Sequence, residues 1–143
     1  MITITLFKEL DYKSTKTKAK NVLKSVSNLV LILSSSYESK VTQTFSLELK
    51  TFGNSNFNAL DEHLARQDEA EEELSTIYKA FNALSVNDRK ILYLKYLDQH
   101  KKPDFMIMTE LGYSESQFYN LLDLAIIKFA HAYKFGELLE YEK

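Results

Sequence analysis

Within the stretch ELGYSESQFYNLLDLAIIKFAHAY, residues 110–133, five polar side chains gather at the start of a helical pattern: Ser114, Ser116, Gln117, Tyr119 and Asn120. Their types suit recognition by hydrogen bonding rather than bond-making. Gln and Asn can each offer a donor and an acceptor to the edge of an adenine, and Ser and Tyr hydroxyls reach phosphate oxygens. A short helix, a glycine turn and a capped second helix form the layout that sets a second helix in the major groove, its N-terminal residues at base edges. Phosphate contacts provide most of the affinity in such complexes, so cations should rim the helix. Lys101, Lys102 and Lys128 are the nearest candidates, with Lys134, Arg89, Lys90 and Lys95 behind them. Glu115 and Asp123 lie on or near the same helix and would repel phosphate, although Glu115 also suits the positive end of a helix. From Ser85 onward there are 8 Lys+Arg against 9 Asp+Glu, so no basic surplus helps. Any three-helix protein contains similar corners, and spacing alone leaves a packed corner without nucleic acid equally open.

No other constellation carries chemistry. His63, His100 and His131 are far apart and lack ligand spacing, so no metal site is expected. Neither a GxxxxGK[ST] nor a GxGxxG loop occurs, no serine sits in a nucleophile elbow, and no carboxylate pair stands out. We expect no catalytic residue, no cofactor and no enzyme activity.

The elements that must position the five polar residues are helical. Ser85 and Asp88 read as an N-cap and acidic first turn, so a helix starts at Val86 and runs to about Asp98. DQHKK, residues 98–102, is a loop, and Pro103 suits the first turn of a short helix from about Asp104 to Leu111. Gly112 suits the left-handed residue past a helix end. Ser114 then caps a last helix, with Gln117 closing a capping box. That helix should reach about Phe135, with Phe118, Leu121, Leu122, Ala125, Phe129 and Ala132 inward. Leu124, Ile126 and Ile127 make it apolar nearly all round, so it must be covered on more than one side. The cover is a second subunit, the favoured expectation, or the chain's own N-terminal helices. A homodimer would read two half-sites by symmetry.

Upstream, apolar residues from Ala19 to Leu33 recur at helical spacing and give a lysine-rich helix over about 17–33. Residues 41–49 alternate at Phe45, Leu47 and Leu49 and read as a strand or extended segment, as does the opening MITITL. Residues 51–58 have loop composition. A long helix follows over about 59–84, its apolar stripe thin through ARQDEAEEE, residues 65–73. The fold class is mainly α, with a C-terminal tri-helical unit. Its divisions fall at 1–58, 59–84 and 85–143.

The 143 residues suffice for a real core, and 45% hydrophobic with 27% charged residues is ordinary globular composition. No cysteine is present, which fits a reducing cytoplasm. The longest apolar run, LVLIL at 29–33, is too short to cross a bilayer, so no membrane role is expected. A net charge of −2 hides segregation: Lys8, Lys13, Lys16, Lys18, Lys20 and Lys24 cluster early, and Glu69, Glu71, Glu72 and Glu73 form an acidic block. The lysines read as a second phosphate-contacting surface or a solvated helix face. The glutamates read as a solvated face or a dock for a basic partner.

LSVNDRKILYLKYLD (84–98) followed by ELGYSESQFYNLLDLAIIKFAHAY (110–133) resembles the ArpU-type phage transcriptional regulators, the autolysin-regulator family. It is also similar to the helix-turn-helix of sigma-factor region 4. SKVTQTFSLEL (39–49) and DEAEEELSTIYKAFNAL (68–84) extend the resemblance to roughly residues 15–135. The resemblance implies sequence-specific binding of double-stranded DNA upstream of late phage or mobile-element genes, in a bacterial host, with RNA polymerase as a further partner. It gives the recognition-helix role to Ser114, Ser116, Gln117, Tyr119 and Asn120. One departure stands out: basic residues are expected near Asn120 and Asp123, where this chain is neutral and acidic. The rival reading is a protein-interaction module that kept the fold and contacts RNA polymerase or another protein instead of DNA.

Overall fold

The computed structural model describes residues 9–33, 37–41, 45–51 and 61–142. The opening 1–6 segment, Lys8 and most of the 51–58 loop lie outside these residues. The chain is mainly helical, as its patterning implied.

Helix α1 spans Tyr12–Leu33, starting before the expected Thr17. Asp11 explains the difference. Its carboxylate accepts the Ser14 backbone N–H at 3.1 Å and the Ser14 hydroxyl at 2.9 Å, which caps a polar first turn that apolar periodicity cannot register. Those Ser14 bonds, the backbone one first, hold the Asp11 carboxyl below its ordinary value. Thr15, Ala19, Leu23, Val26 and Leu33 form the buried stripe.

Where one strand was expected over 41–49, two occur. β1 (Tyr37–Val41) pairs antiparallel with β2 (Leu47–Thr51), from Tyr37↔Thr51 to Val41↔Leu47. The alternation at Leu47 and Leu49 marks only β2, because YESKV has just two apolar residues, Tyr37 and Val41, too sparse a pattern to reveal β1. The Asn82 amide accepts the Leu47 N–H at 3.0 Å and donates to the Leu47 carbonyl at 3.1 Å, imitating a neighbouring strand and pinning β2 to the end of the next helix.

That helix, α2 (Asp61–Asn82), buries Ala70, Leu74, Ile77, Tyr78, Ala80 and Phe81. Its charged part is exposed at Arg66, Asp68, Glu69 and Glu72. α3 (Val86–Leu92) starts as expected: the Asp88 N–H donates to Ser85 Oγ at 3.3 Å, and that hydroxyl donates to the Asp88 carboxylate at 2.8 Å. Its continuation to Asp98 is not α-helical. Tyr93–Leu97 form a π-helical turn closed by the Asp98 N–H on the Tyr93 carbonyl at 2.8 Å. Leu94 and Tyr96 are both buried, because this turn packs against α1 and against α4 (Asp104–Leu111).

α5 spans Glu115–Ala132, short of the expected Phe135. A 3₁₀ turn follows at Tyr133–Gly136, in which Lys134 (φ 42°) and Phe135 (φ 55°) are left-handed. The tail then returns to α1. Asp11 N–H donates to the Glu140 carbonyl at 2.8 Å, Glu142 N–H donates to the Glu9 carbonyl at 2.8 Å, and Lys18 pairs with the Glu140 carboxylate. Buried Thr15 accepts the Glu140 N–H at 3.0 Å, which satisfies its hydroxyl inside the core.

One continuous cluster of buried side chains joins Leu23 of α1, Leu74 and Phe81 of α2, Leu92 of α3, Ile107 of α4 and Phe118, Ile126 and Phe129 of α5. The cover that α5 required is therefore partly internal. α1 packs along it, and Ile126 is fully buried. Ile127 is half-buried and Leu124 stays 54% exposed.

Candidate nucleic-acid interface

The corner between α4 and α5 is built by local chemistry. Gly112 ends α4 at φ 73°, ψ 28°, and no atom lies within 4 Å of where a Cβ would sit. Glycine is needed there for the left-handed backbone and not for space. The Tyr113 N–H returns to the Met108 carbonyl at 3.0 Å, a Schellman-type closure. Ser114 Oγ accepts the Gln117 N–H at 3.2 Å and caps α5. Ile107 and Phe118, both fully buried, anchor the two helices to the core.

This frame presents one polar face. Ser114, Ser116, Gln117 and Asn120 are exposed. The amides of Gln117 and Asn120 make no side-chain hydrogen bond to another described residue, so their donors and acceptors remain available. At 3.6 residues per turn the same face continues through Leu124 and Ile127.

Tyr119 is placed differently. Its ring is 41% exposed and packs edge-on to Phe118 at 5.1 Å, but its hydroxyl donates to Asp104 at 2.9 Å. The other Asp104 oxygen takes Lys95 Nζ at 2.7 Å. Burial pushes the Asp104 carboxyl up, but the Lys95 and Tyr119 hydrogen bonds outweigh it and hold the group below its ordinary value. The same bond to Asp104 raises the Tyr119 hydroxyl. Tyr119 thus ties the first turn of α5 to the first turn of α4.

The expected rim lysines are engaged as well. Lys101 Nζ donates to the Tyr96 carbonyl at 2.6 Å, satisfying an acceptor at the end of the π turn. Lys102 pairs with Glu110 at 2.9 Å, a bond that raises the Lys102 ammonium. Lys128 reaches Asp88 at 3.2 Å with its side chain still 56% exposed, so it flanks α5 on the α3 side. Lys95 is held by Asp104, and Arg89 donates to the Asn82 and Leu84 carbonyls. Lys134 lies near Glu73 and Glu137, at 4.0 and 3.8 Å. Lys90 stands 6.0 Å from the Phe45 ring centre.

Asp123, three residues after Asn120, keeps its side chain 48% exposed and is engaged by α1, meeting Lys16 Nζ at 3.4 Å. No local pattern links residues 16 and 123, so sequence reasoning missed the pairing. It also missed exposed Leu124, because apolar character argued for burial.

Two relatives cover almost the whole chain. A protein of Streptococcus phage O1205, provisionally named autolysin regulatory protein ArpU, is 34% identical over 94% of this chain and 97% of its own length. A protein of Enterococcus hirae with the same provisional name is 29% identical over 96% of this chain and 98% of its own length. No family model and no solved structure matches the chain.

Proposed function

The chain belongs to the ArpU family of autolysin regulatory proteins, and we propose that it is a sequence-specific DNA-binding regulator of phage or mobile-element genes, not an enzyme. In this reading α4 and α5 act as a helix-turn-helix. α5 lies in the major groove, Gln117 and Asn120 read base edges, and Ser114 and Ser116 contact phosphate or bases. Tyr119 positions α5 through Asp104. Binding near a promoter would then recruit or exclude RNA polymerase. The observation that carries the reading is the exposed, unengaged pair of amides on the first two turns of a rigidly capped helix. The test is a gel-shift titration against the intergenic DNA flanking the chain's own gene, at two salt concentrations with competitor DNA. A discrete shift that survives competitor and weakens with salt supports the reading. Absence of a shift from folded protein would defeat it.

A second reading is favoured by one observation: Lys101, Lys102 and Lys128 are each held by an acceptor, while Phe105 and Met106 of α4 are 67% and 46% exposed. Such a surface fits a protein contact. In that case the same titration stays blank, and RNA polymerase is the partner to test.

A further inference from the structure

We propose that α1 supplies the phosphate-contacting rim beside the α5 face, through Lys13, Lys20 and Lys24. The proposal rests on the DNA-binding reading above and deepens it. α1 carries five lysines and no Asp or Glu. Lys18 turns away and pairs with Glu140. Lys13, Lys16, Lys20 and Lys24 follow one another at i, i+3, i+7 and i+11, so they share one face of the helix. Lys16 fixes where that face lies. Its contact with Asp123 puts one point of that stripe at the flank of α5 next to Asn120, which is three residues before Asp123 on the same helix.

The opposite flank of α5 carries Lys128, so the polar face of α5 runs between cations on both sides. Asp123 neutralises Lys16, whereas Lys13, Lys20 and Lys24 make no ion pair to another described residue. Lys13 to Lys24 spans about 16 Å of helix, over which one DNA strand presents about five phosphates. The charge that the α4–α5 corner lacks is therefore supplied from the other end of the chain. It binds backbone and not bases, so it adds affinity without sequence preference.

The test uses the full chain and a duplex it enriches from a random pool. Dissociation constants are measured across a series of KCl concentrations for wild type and for the triple variant Lys13→Gln, Lys20→Gln, Lys24→Gln. Each lost phosphate contact lowers the slope of log affinity against log salt by about 0.9, so the triple variant should lose about 2.7. It should weaken on every duplex alike, and Lys79→Gln, on exposed α2 surface, should leave the slope unchanged. The single variants, each expected to remove about 0.9, decide the matter if the triple variant has lost its helical circular dichroism. A slope unchanged by the lysine variants would overturn the proposal while leaving the DNA-binding reading intact, and so would an equal loss from Lys79→Gln. Failure of wild type to enrich any duplex would remove the reading itself, and the rim with it.

Discussion

Lys16 of α1 and Asp123 of α5 lie 107 residues apart in sequence and meet at 3.4 Å, joining the lysine-rich N-terminal helix to the flank of the candidate reading helix. Both side chains are part-exposed, so the pair should add no more than about 1 kcal/mol to stability. Asp123→Asn should therefore leave the melting temperature nearly unchanged. It should also tighten DNA binding and steepen its salt dependence by about one phosphate contact, because Lys16 is released. Calorimetry with salt-series binding checks both, and weaker binding by this variant would sink the assignment.

Tyr119 and Asn120 are neighbours with different expected roles. Tyr119→Phe removes the solvent-exposed bond to Asp104 and should lower stability slightly, with sequence preference kept. Asn120→Ala should leave stability alone and cost about 1–3 kcal/mol of binding, with relaxed preference at one base pair. Denaturant titration and binding to single-base variants of the enriched duplex separate the two. The reverse pattern would exchange their roles.

Asp104 also gives a pH dependence. Its carboxyl is held below its ordinary value in the folded chain, so the stability it contributes is fully present above its unfolded value and is lost as pH falls through the lowered one. At the alkaline end burial pushes the Tyr96 hydroxyl up to about 12, and burial with the Glu73 hydrogen bond raises that of Tyr133. Their stability is present below the ordinary tyrosine value of about 10 and declines above it. Unfolding followed by tyrosinate absorbance should show both tyrosines ionising late. Tyr96→Phe should flatten the loss of stability between about pH 10 and 12.

The corner between α4 and α5 tests how local chemistry builds the site. Gly112→Ala should cost about 1–2 kcal/mol from backbone strain alone, since nothing crowds the position, and Gly112→Asn should cost less. Thermal melts of the two variants measure this, and equal stability would contradict the strain argument.

These local devices were the legible part. Ser85, Gly112 and Ser114 announce helix ends through residues no more than four positions away, so α4 and the starts of α3 and α5 stand where the spacing placed them. The inward stripe of α5 was legible for the same reason at Phe118, Leu122, Ala125 and Phe129. What was not legible depends on partners distant in sequence. The Lys16–Asp123 pair, the Asn82 amide on β2 and the tail clasped to α1 leave no periodic trace. β1 has only Tyr37 and Val41 as apolar residues to betray it, and the π turn at 93–97 has the same composition as an α-helical turn. Among the site residues, exposure of Ser116, Gln117, Tyr119 and Asn120 followed from the stripe by subtraction. The engagement of Tyr119, Lys101, Lys102 and Lys128 needed three dimensions.

Leu124 gives a sharper probe of the face. It follows Asn120 by one turn, and an exposed apolar side chain in a major groove suits a thymine methyl. Replacing the facing thymine by uracil should weaken wild-type binding about 4-fold, the worth of one buried methyl, and should not affect Leu124→Ser. If uracil is neutral at every position, Leu124 does not touch the bases.

The most direct measurement is enrichment of duplexes from a random pool by the wild-type chain and by Asn120→Ala, sequenced side by side. The account expects one motif from wild type and the same motif relaxed at one position from the variant. No motif from the folded wild-type chain, or an identical motif from both, would contradict reading by α5.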